Sequence, residues 1–302
     1  MQTAQSDTPL QNETCGATAM EDDRFRFGQN WQRFLKLLNE DRIREAEKSL
    51  SEMLRMPSLA GQSFLDVGSG SGLFSLAAMR LGAKKVHSFD YDLQSVACAE
   101  QLKTRFFPKS AHWTIERGDA LDQKYLHGLG EFDIVYSWGV LHHTGNMWKA
   151  IENVLPRVSK GGKLFIAIYN DAGRKSRQWS TLKRLYNSGA FYRTMLPAIF
   201  IPLNIGRGVV VDLGKLKSPL TRYRVYKQDR GMSMMRDWID WLGGWPYEFA
   251  TAGQVSDFCQ RRGFQMQTCL NRSGWVLGNN EFVFERVLDR PAIAVGGDTA
   301  KA

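Results

Sequence analysis

The feature that most constrains the fold is a glycine-rich turn, DVGSGSG at residues 66–72, that directly follows a short apolar run. Residues 63–67 have the length and character of a buried strand, and a helical stripe of apolar residues begins at Leu73. Glycine lets the backbone turn sharply and lets a ligand lie against the main chain. Free N–H groups at the start of the following helix can bind that ligand. The pattern therefore predicts a strand–turn–helix unit that holds a ligand.

Strands and helices continue to alternate after this unit. The predicted strands are 85–89, 112–116, 132–137 and 163–169, and the predicted helices are 73–81, 93–105 and 147–158. Strands that alternate with helices are joined by right-handed crossovers, which places them in a parallel sheet. Asp92, just before the second of these helices, has the position of a helix N-cap.

The alternation stops at Asn170 and resumes about eighty residues later with a helix that begins near Thr251 and ends at Gly263. Two further strands follow, 264–270 and 281–286. Because no helix separates them, they should pair antiparallel. The fold class predicted is α/β, with a doubly wound, mostly parallel sheet, an antiparallel last strand and an inserted cap.

The spacing of the glycines separates two cofactor classes. A dinucleotide site has G-x-G-x-x-G, but Leu73 stands where the third glycine should be, and the spacing here is G-x-G-x-G. Asp66, on the strand, would repel a pyrophosphate and attract an ammonium group. Asp90, at the end of the second strand, can accept hydrogen bonds from both hydroxyls of a ribose. These features favour an S-adenosyl ligand over NAD.

Four segments together resemble the class I S-adenosylmethionine-dependent methyltransferases: residues 64–72, Asp90, residues 118–120 (GDA) and residues 140–143 (VLHH). The resemblance covers residues 63–169 and 251–286, and is closest to the ubiquinone-methylase-like branch that acts on small molecules. It implies a seven-stranded Rossmann-like sheet, S-adenosyl-L-methionine as cofactor, and methyl transfer to a small molecule whose acceptor atom (O, N, C or S) stays open.

The same resemblance assigns cofactor-binding roles by position. Residues of the first strand and glycine loop would flank the methionine part, residues after the second strand the ribose, and residues after the third and fourth strands the adenine and the sulfonium. The predicted cofactor residues are Asp66, Gly68, Ser69, Gly70, Gly72, Asp90, Tyr91, Asp119, Ala120 and Ser137.

Two adjacent histidines, His142 and His143, follow the fourth strand. A histidine there can remove a proton from a substrate hydroxyl or amine, because its pKa lies near neutrality. These two are the candidate catalytic residues. The alternative is that one of them bonds to the backbone and orders the loop. Methyl transfer depends mainly on in-line placement, so no metal is expected, and no Cys/His cluster has zinc-ligand spacing.

The insertion at residues 170–249 carries almost all of the chain's net charge of +9. It contains fourteen basic and six acidic residues, a net +8. It leaves the sheet at the edge that should face the methyl donor, so it is predicted to cap the acceptor pocket. Tyr169 and Asn170 at its start, Tyr247 at its end and Trp31 in the N-terminal helical segment are the candidate substrate-binding residues, although each is also explained by packing.

Within the insertion, residues 195–213 are strongly apolar but include Pro197, Pro202, Gly206 and Arg207. These interruptions make the stretch a poor candidate for a transmembrane span. The favoured interpretation is the core of the cap itself. The alternatives are a lipophilic substrate tunnel, or peripheral contact with a membrane in which basic residues face lipid phosphates.

The predicted organisation has six parts: 1–23, a disordered tail; 24–60, helical; 61–169, the cofactor-binding core; 170–249, the cap; 250–288, completion of the sheet; and 289–302, a second tail. The four cysteines form no CxxC and are expected to be reduced, and residues 1–23 lack the apolar segment of a signal peptide, which predicts a cytoplasmic protein. The oligomeric state stays open.

Two other functions stay open. The basic insertion, with aromatic residues interleaved at 222–227, suits an RNA or protein methyltransferase. Against RNA, the chain has no N-P-P-Y or D-P-P-Y sequence, so nucleic acid is not the favoured partner. The third alternative is a non-catalytic accessory protein that binds the S-adenosyl ligand.

Overall fold

The computed structural model describes residues 28–215, 218, 239, 242–270 and 278–287. Seven strands form a single sheet, which confirms the predicted fold class. The strands are β1 Ser63–Val67, β2 Lys85–Asp90, β3 Trp113–Arg117, β4 Phe132–Trp138, β5 Val158–Tyr169, β6 Phe264–Leu270 and β7 Asn279–Arg286.

Nine α-helices lie in the described residues, together with short 3-10 turns at Leu141–His143 and Leu155–Arg157. The helices are α1 Gly28–Leu35, α2 Glu40–Leu54, α3 Leu73–Arg80, α4 Leu93–Phe106, α5 Gln123–Gly128, α6 Met147–Val154, α7 Arg174–Asn187, α8 Ala190–Gly214 and α9 Ala252–Gln260.

The spatial order of the strands is β3-β2-β1-β4-β5-β7-β6. The five strands from β3 to β5 are parallel to their neighbours, β7 is antiparallel to β5, and β6 is antiparallel to β7. The predicted antiparallel pairing of the last two strands is therefore confirmed. The strand order reverses between β1 and β4, and in sheets of this kind ligands bind outside the carboxyl ends of the strands at that point.

Two of the predicted boundaries are wrong by four or five residues, and two others, the end of α9 at Gln260 and the start of β7 at Asn279, by two or three. The helix predicted to end at 158 ends at Val154, and β5 begins at Val158 rather than at 163. Pro156 lies in the intervening 3-10 turn, where its missing N–H ends the α-helical hydrogen bonding. The six-residue helix α5 was not predicted, because it is too short to show an apolar period.

Buried apolar side chains fill both faces of the sheet. One cluster includes Val135 and Phe282, and the other includes Leu50, Phe64 and Trp113. This second cluster holds α2 against α3, so the helical segment before the sheet is part of the core. These layers fix the sheet whose carboxyl edge carries the candidate site.

The two ends of the predicted cap meet at the sheet edge. Asn170 and Ala250 form a parallel bridge, the N–H of Ala250 donates to the carbonyl of Tyr169 at 3.0 Å, and the N–H of Asp171 donates to the carbonyl of Ala250 at 3.1 Å. The chain therefore leaves the sheet and returns to it at one place. The predicted tails, 1–23 and 289–302, lie outside the described residues, and the division into parts stays a prediction.

The favoured interpretation of the apolar stretch at 195–213 is wrong. The stretch lies in the single 25-residue helix α8, in which large apolar side chains are exposed: Phe191 and Val210 to 70% and Leu203 to 66%. A helix of that length spans about 38 Å, whereas the 14-residue α7 that packs on it spans about 21 Å, so α7 covers only part of it. By length and composition alone α8 could cross a membrane, with a mean hydropathy of 1.5 over 18 residues.

Candidate functional site

The glycine loop between β1 and α3 requires its glycines. Gly68, Gly70 and Gly72 have φ of +75°, +54° and +80°, in the left-handed region that other residues rarely adopt. A Cβ on Gly68 would lie 2.3 Å from Cγ1 of Val140, and one on Gly72 would lie 2.8 Å from Cα of Ala99. The backbone of this loop is therefore close to its neighbours and cannot take a side chain at these positions.

Asp90 ties the loop to the end of β2. Its carboxylate accepts the N–H of Gly70 and the N–H of Asp92, each at 2.9 Å. Burial raises the pKa of Asp90 to about 6. A carboxylate oxygen can accept more than one hydrogen bond, so both oxygens keep capacity for donors such as ribose hydroxyls. The structure thus brings Asp90 and the glycine loop together, as the sequence predicted.

Asp92 is the N-cap of α4, as predicted. Its Oδ1 accepts the N–H of Gln94 at 2.8 Å, and its Oδ2 accepts the N–H of Gly28 at 2.8 Å. The second bond fastens the start of α1 to α4. Trp31 of α1 then lies over the glycine loop, where a Cβ on Gly70 would be 2.9 Å from its indole ring. Trp31, predicted to bind substrate, is thus placed against the cofactor loop.

A second buried carboxylate, Asp66, lies on β1. It is 2% exposed, and its Oδ2 accepts the hydroxyl of Ser75. Burial, reinforced by the nearby charge of Asp90, raises the pKa of Asp66 to about 7. Two carboxylates so close together favour a positively charged ligand, because its charge offsets their mutual repulsion.

The remaining predicted cofactor residues lie at the ends of β1 to β4. The guanidinium of Arg117 lies 5.3 Å from the ring centre of Tyr91, Oδ1 of Asp119 accepts the N–H of Leu121, and Ala120 is buried. The hydroxyl of Ser137 donates to the carbonyl of Val67 at 3.0 Å.

These residues suit a ligand of mixed character. The hydroxyl of Ser69 is buried and has no hydrogen-bond partner among the described residues. The Ser69 hydroxyl, the two carboxylates and a glycine backbone that a ligand can approach closely would together suit a cationic ligand that carries hydroxyl groups. S-adenosylmethionine meets these requirements: the loop and Asp66 would hold its methionine part and Asp90 its ribose.

Beyond the glycine loop, the ends of β4 and β5 carry an aromatic cluster, which we define as His142, His143, Tyr169, Tyr247 and Lys183. The ring centres of His142 and Tyr169 are 3.9 Å apart, and those of Tyr169 and Tyr247 are 4.9 Å apart. The ammonium group of Lys183 lies 4.9 Å from the ring centre of Tyr247. The structure therefore brings four of the predicted catalytic and substrate-binding residues together.

Both histidines of the cluster bond to the backbone. Nδ1 of His142 accepts the N–H of Tyr169 at 3.3 Å, and Nδ1 of His143 donates to the carbonyl of Pro246 at 2.6 Å. Burial and the charge of Lys183 lower the pKa of His143 to about 3 and that of His142 well below its usual value. Both rings are thus neutral at pH 7. Such weak bases fit loop ordering and substrate positioning, and catalysis by either stays a prediction.

Asn170 positions the chain where it leaves β5. Its N–H donates to the carbonyl of Gly278 at 2.8 Å, its Oδ1 accepts the amide of Asn280 at 3.1 Å, and its carbonyl accepts the hydroxyl of Ser176. The side chain is 4% exposed. These contacts explain Asn170 as a support for the cluster, and its predicted contact with substrate stays a prediction.

Sequence reasoning missed Lys183. It lies on α7, is 5% exposed, and burial lowers its pKa to about 8. In the sequence it is one of fourteen basic residues of the insertion. The signal that could have found it is helical spacing, since Ser176, Lys183 and Tyr186 share one buried face of α7.

Among the described residues, neither the cysteines nor any group of metal-ligating side chains forms a further site. Cys98, Cys259 and Cys269 are free, as predicted, and Cys15 lies outside the described residues. Across the described ranges, no three His, Cys, Asp or Glu side chains lie together as metal ligands would.

Comparisons with known proteins relate part of this chain to a protein family. Residues 65–164 match the family model described as a methyltransferase domain. The curated relatives include ribosomal protein L11 methyltransferases from Prochlorococcus marinus, 34% identical over 110 residues (36% of this chain, 32% of the relative), and from Burkholderia orbicola, 33% identical over 117 residues (38% and 35%). The chain therefore matches about a third of the length of these relatives.

Among solved structures, magnesium protoporphyrin IX methyltransferase from Synechocystis PCC 6803, described with bound SAM, has a TM-score of 0.51 at 12% identity. That likeness covers 90% of this chain and 100% of the other, and it shows a shared fold. The family model spans the glycine loop, Asp90 and the histidine pair. Residues 65–164 therefore match a methyltransferase domain, and the chain has the Rossmann-like methyltransferase fold that the sequence motifs predicted.

Proposed function

We propose that this protein transfers a methyl group from S-adenosyl-L-methionine to a small molecule that binds at the aromatic cluster. The observation that carries this proposal is the position of the cluster: it follows β4 and β5 at the same sheet edge as the glycine loop, which follows β1. The proposed cofactor site and the proposed acceptor site would thus share one edge.

The cofactor side is built to hold a cation with hydroxyl groups. S-adenosylmethionine, when bound, supplies an electrophilic methyl group on a positively charged sulfur. Asp66 would attract the positive charges of that ligand, and Asp90 would accept its ribose hydroxyls while the glycine backbone leaves room for it. These residues bind and orient, and none of them has to exchange a proton with the acceptor.

The aromatic cluster would exclude water from the methyl acceptor and fix the orientation of the acceptor. Burial raises the pKa of Tyr169 to about 12 and also raises the pKa of Tyr247, so both phenols stay protonated and can act as hydrogen-bond donors at neutral pH. Lys183 is largely protonated at pH 7 and adds a positive charge to the pocket. An acceptor with aromatic or apolar surface and an acidic or anionic group suits this lining. In-line placement within about 3–3.5 Å is what the transfer requires of the protein.

Burial of the cluster supports a small molecule over a macromolecule. Lys183, Tyr247 and His142 are nearly inaccessible, because α7 and the segment around Tyr247 cover them. The second candidate is a protein acceptor, favoured by the names of the curated relatives. Their similarity covers only about 36–38% of this chain, so it supports the cofactor core more than the choice of acceptor.

An assay of methyl transfer tests the proposal. The purified full-length protein would be incubated with radiolabelled S-adenosylmethionine and with separated small-molecule, protein and RNA fractions of a cell lysate. We expect label in the small-molecule fraction. Label in protein or RNA would support the corresponding alternative, and cofactor binding without transfer to any fraction would support a non-catalytic accessory role. Fractionation of the same cells would test the proposed cytoplasmic location.

The first prediction concerns Asp90→Ala. It removes a carboxylate that would accept two ribose hydroxyls, at about 1.5–3 kcal/mol for each charge-assisted bond. We expect the affinity for S-adenosylhomocysteine, measured by calorimetry, to fall at least about tenfold. The control is Asp122→Ala, which changes an exposed carboxylate that caps α5. Normal binding by the Asp90 variant would refute the assignment of the ribose site.

The second prediction concerns Asp66→Asn without cofactor. The pKa of Asp66 is about 7 in the folded protein against 3.8 for an unperturbed group, so the folded state keeps a proton that the unfolded state loses. The free energy of unfolding should therefore fall as the pH rises from about 4 to about 7. Asn cannot ionise, so the variant should lose less stability between pH 5 and pH 8 in urea unfolding.

The difference between wild type and Asp66→Asn gives the contribution of Asp66 to the pH dependence of the free energy of unfolding, because the other buried groups that titrate in this range are present in both proteins. Asp122→Asn, the matched exposed control, should follow the wild-type pH dependence. Identical pH dependence of wild type and Asp66→Asn would show that this carboxyl ionises normally. The same variant should bind S-adenosylhomocysteine more weakly than wild type at pH 8, where Asp66 of the wild type is mostly ionised, and the difference should shrink towards pH 5.

The third prediction concerns the aromatic cluster. Tyr169→Ala, Tyr247→Ala and Lys183→Met should each lower turnover about tenfold or more, because a displaced acceptor leaves the in-line geometry. The affinity for S-adenosylhomocysteine should stay within a few-fold. Lys175→Met, an exposed lysine on the same helix, is the matched control. Unchanged turnover in all three cluster variants would remove the acceptor pocket from this position.

A further inference from the structure

The helix α8 has an exposed apolar face. Val211 of this helix is exposed to 39% and lies apart from the other exposed apolar residues. Because successive residues of a helix are rotated by about 100°, six of the exposed apolar residues fall within an arc of about 120°. They are Phe191, Ile199, Pro202, Leu203, Val210 and Leu213. Such a continuous apolar stripe on a surface marks an interaction site, unlike scattered single residues.

The other side of α8 is held by the protein. Phe200 contacts Trp179 of α7, with ring centres 5.6 Å apart, and Gly208 and Asp212 are buried. The helix α7 is in turn bonded to the returning chain, since Nδ2 of Asn187 donates to the carbonyl of Gly243 at 3.0 Å. The exposed stripe is thus the outward face of a docked helix.

The charges around the stripe have one sign. Over residues 174–215 every exposed ionisable side chain is basic, while the single acidic side chain, Asp212, is buried; the exposed basic residues are Arg174, Lys175, Arg177, Arg184, Arg193, Arg207 and Lys215. On the helical wheel, both arginines of α8 lie on the same side of the stripe, Arg207 about 40° and Arg193 about 80° beyond its edge at Leu203.

We propose that α8 docks this protein on an anionic lipid bilayer, with the apolar stripe at the headgroup–acyl boundary and the basic side chains on lipid phosphates. This combination of an apolar face with flanking arginines and lysines is typical of helices that lie in the membrane interface. In a dimer formed through this face, the positive charges of the two copies would repel each other. RNA would be attracted by the charges but would not require the apolar stripe.

The same features favour lying on the membrane over crossing it. A spanning α8 would bring Arg193, Arg207 and the buried Asp212 into or near hydrocarbon, which is costly for charged groups. It would also have to leave its contact with α7. Docking in the interface plane keeps both the covered side and the exposed stripe as they are.

Vesicle co-sedimentation of the full-length protein tests the proposal. We expect binding to vesicles of phosphatidylcholine with phosphatidylserine, weak binding to phosphatidylcholine alone, and release by high salt. The double variant Leu203→Glu/Val210→Glu should lose at least about tenfold in binding. Arg193→Gln/Arg207→Gln should weaken binding only to the anionic vesicles. The matched control is Leu270→Glu, an exposed leucine on β6, which should bind like wild type.

Four outcomes would overturn the proposal. The first is that the wild type does not bind anionic vesicles, and the second is that the Leu203/Val210 double variant binds them as well as the wild type does. The third is that the protein stays in cell membranes after alkaline carbonate extraction, which would indicate a spanning helix. The fourth is that the wild type forms a dimer, the double variant is monomeric, and neither binds vesicles. Unchanged thermal unfolding of each variant confirms that the fold is intact, because all the substituted side chains are exposed. The proposal does not depend on methyl transfer, so its failure leaves the proposed function untouched.

Discussion

The hydrogen bond from the N–H of Gly70 to the carboxylate of Asp90 is the interaction on which the site depends. The carbonyl of Phe89 reinforces it by accepting the N–H groups of Gly68 and Ser69 at 2.9 and 3.0 Å. These bonds hold the loop after β1 against the end of β2. The arrangement requires glycines where no Cβ fits, and it buries Asp90 near Asp66, whose raised pKa values reflect this unfavourable burial. A cationic ligand relieves that repulsion.

The aromatic cluster, the proposed acceptor site, is built differently. Its residues come from loops of the sheet and from the insertion, which leaves and rejoins the sheet at the bridge between Asn170 and Ala250. Because the two ends of the insertion meet, the sheet needs no rearrangement to accommodate it. The glycine loop and the aromatic cluster thus rest on separate sets of contacts, and for this reason we expect substitutions in the cluster to affect turnover more than cofactor binding.

The sequence predicted the sheet well because parallel strands are short apolar runs bounded by glycine turns, and it placed Asp66 and Asp90 because both belong to such strands. It did not predict α5, which is too short for a period, or the end of α6, which Pro156 determines. Lys183 was missed because a buried lysine has no pattern of its own. The sequence analysis favoured a covered α8, because the hydropathy of an apolar helix is the same whether it is covered or exposed. In the structure α8 is exposed because its partner α7 is too short to cover it.

The helix α7 links the two unusual parts of the molecule. Ser176, Trp179, Lys183 and Tyr186 lie on one face of it by helical spacing. On that face Trp179 contacts Phe200 of α8, while Lys183, one turn further, lies over Tyr247 of the aromatic cluster. Through α7, the covered side of α8 is therefore packed next to the aromatic cluster. If α8 docks on a membrane as proposed, α7 would be the single helix between that surface and the ammonium group of Lys183, so the proposed membrane face and the proposed acceptor site would be supported by the same helix.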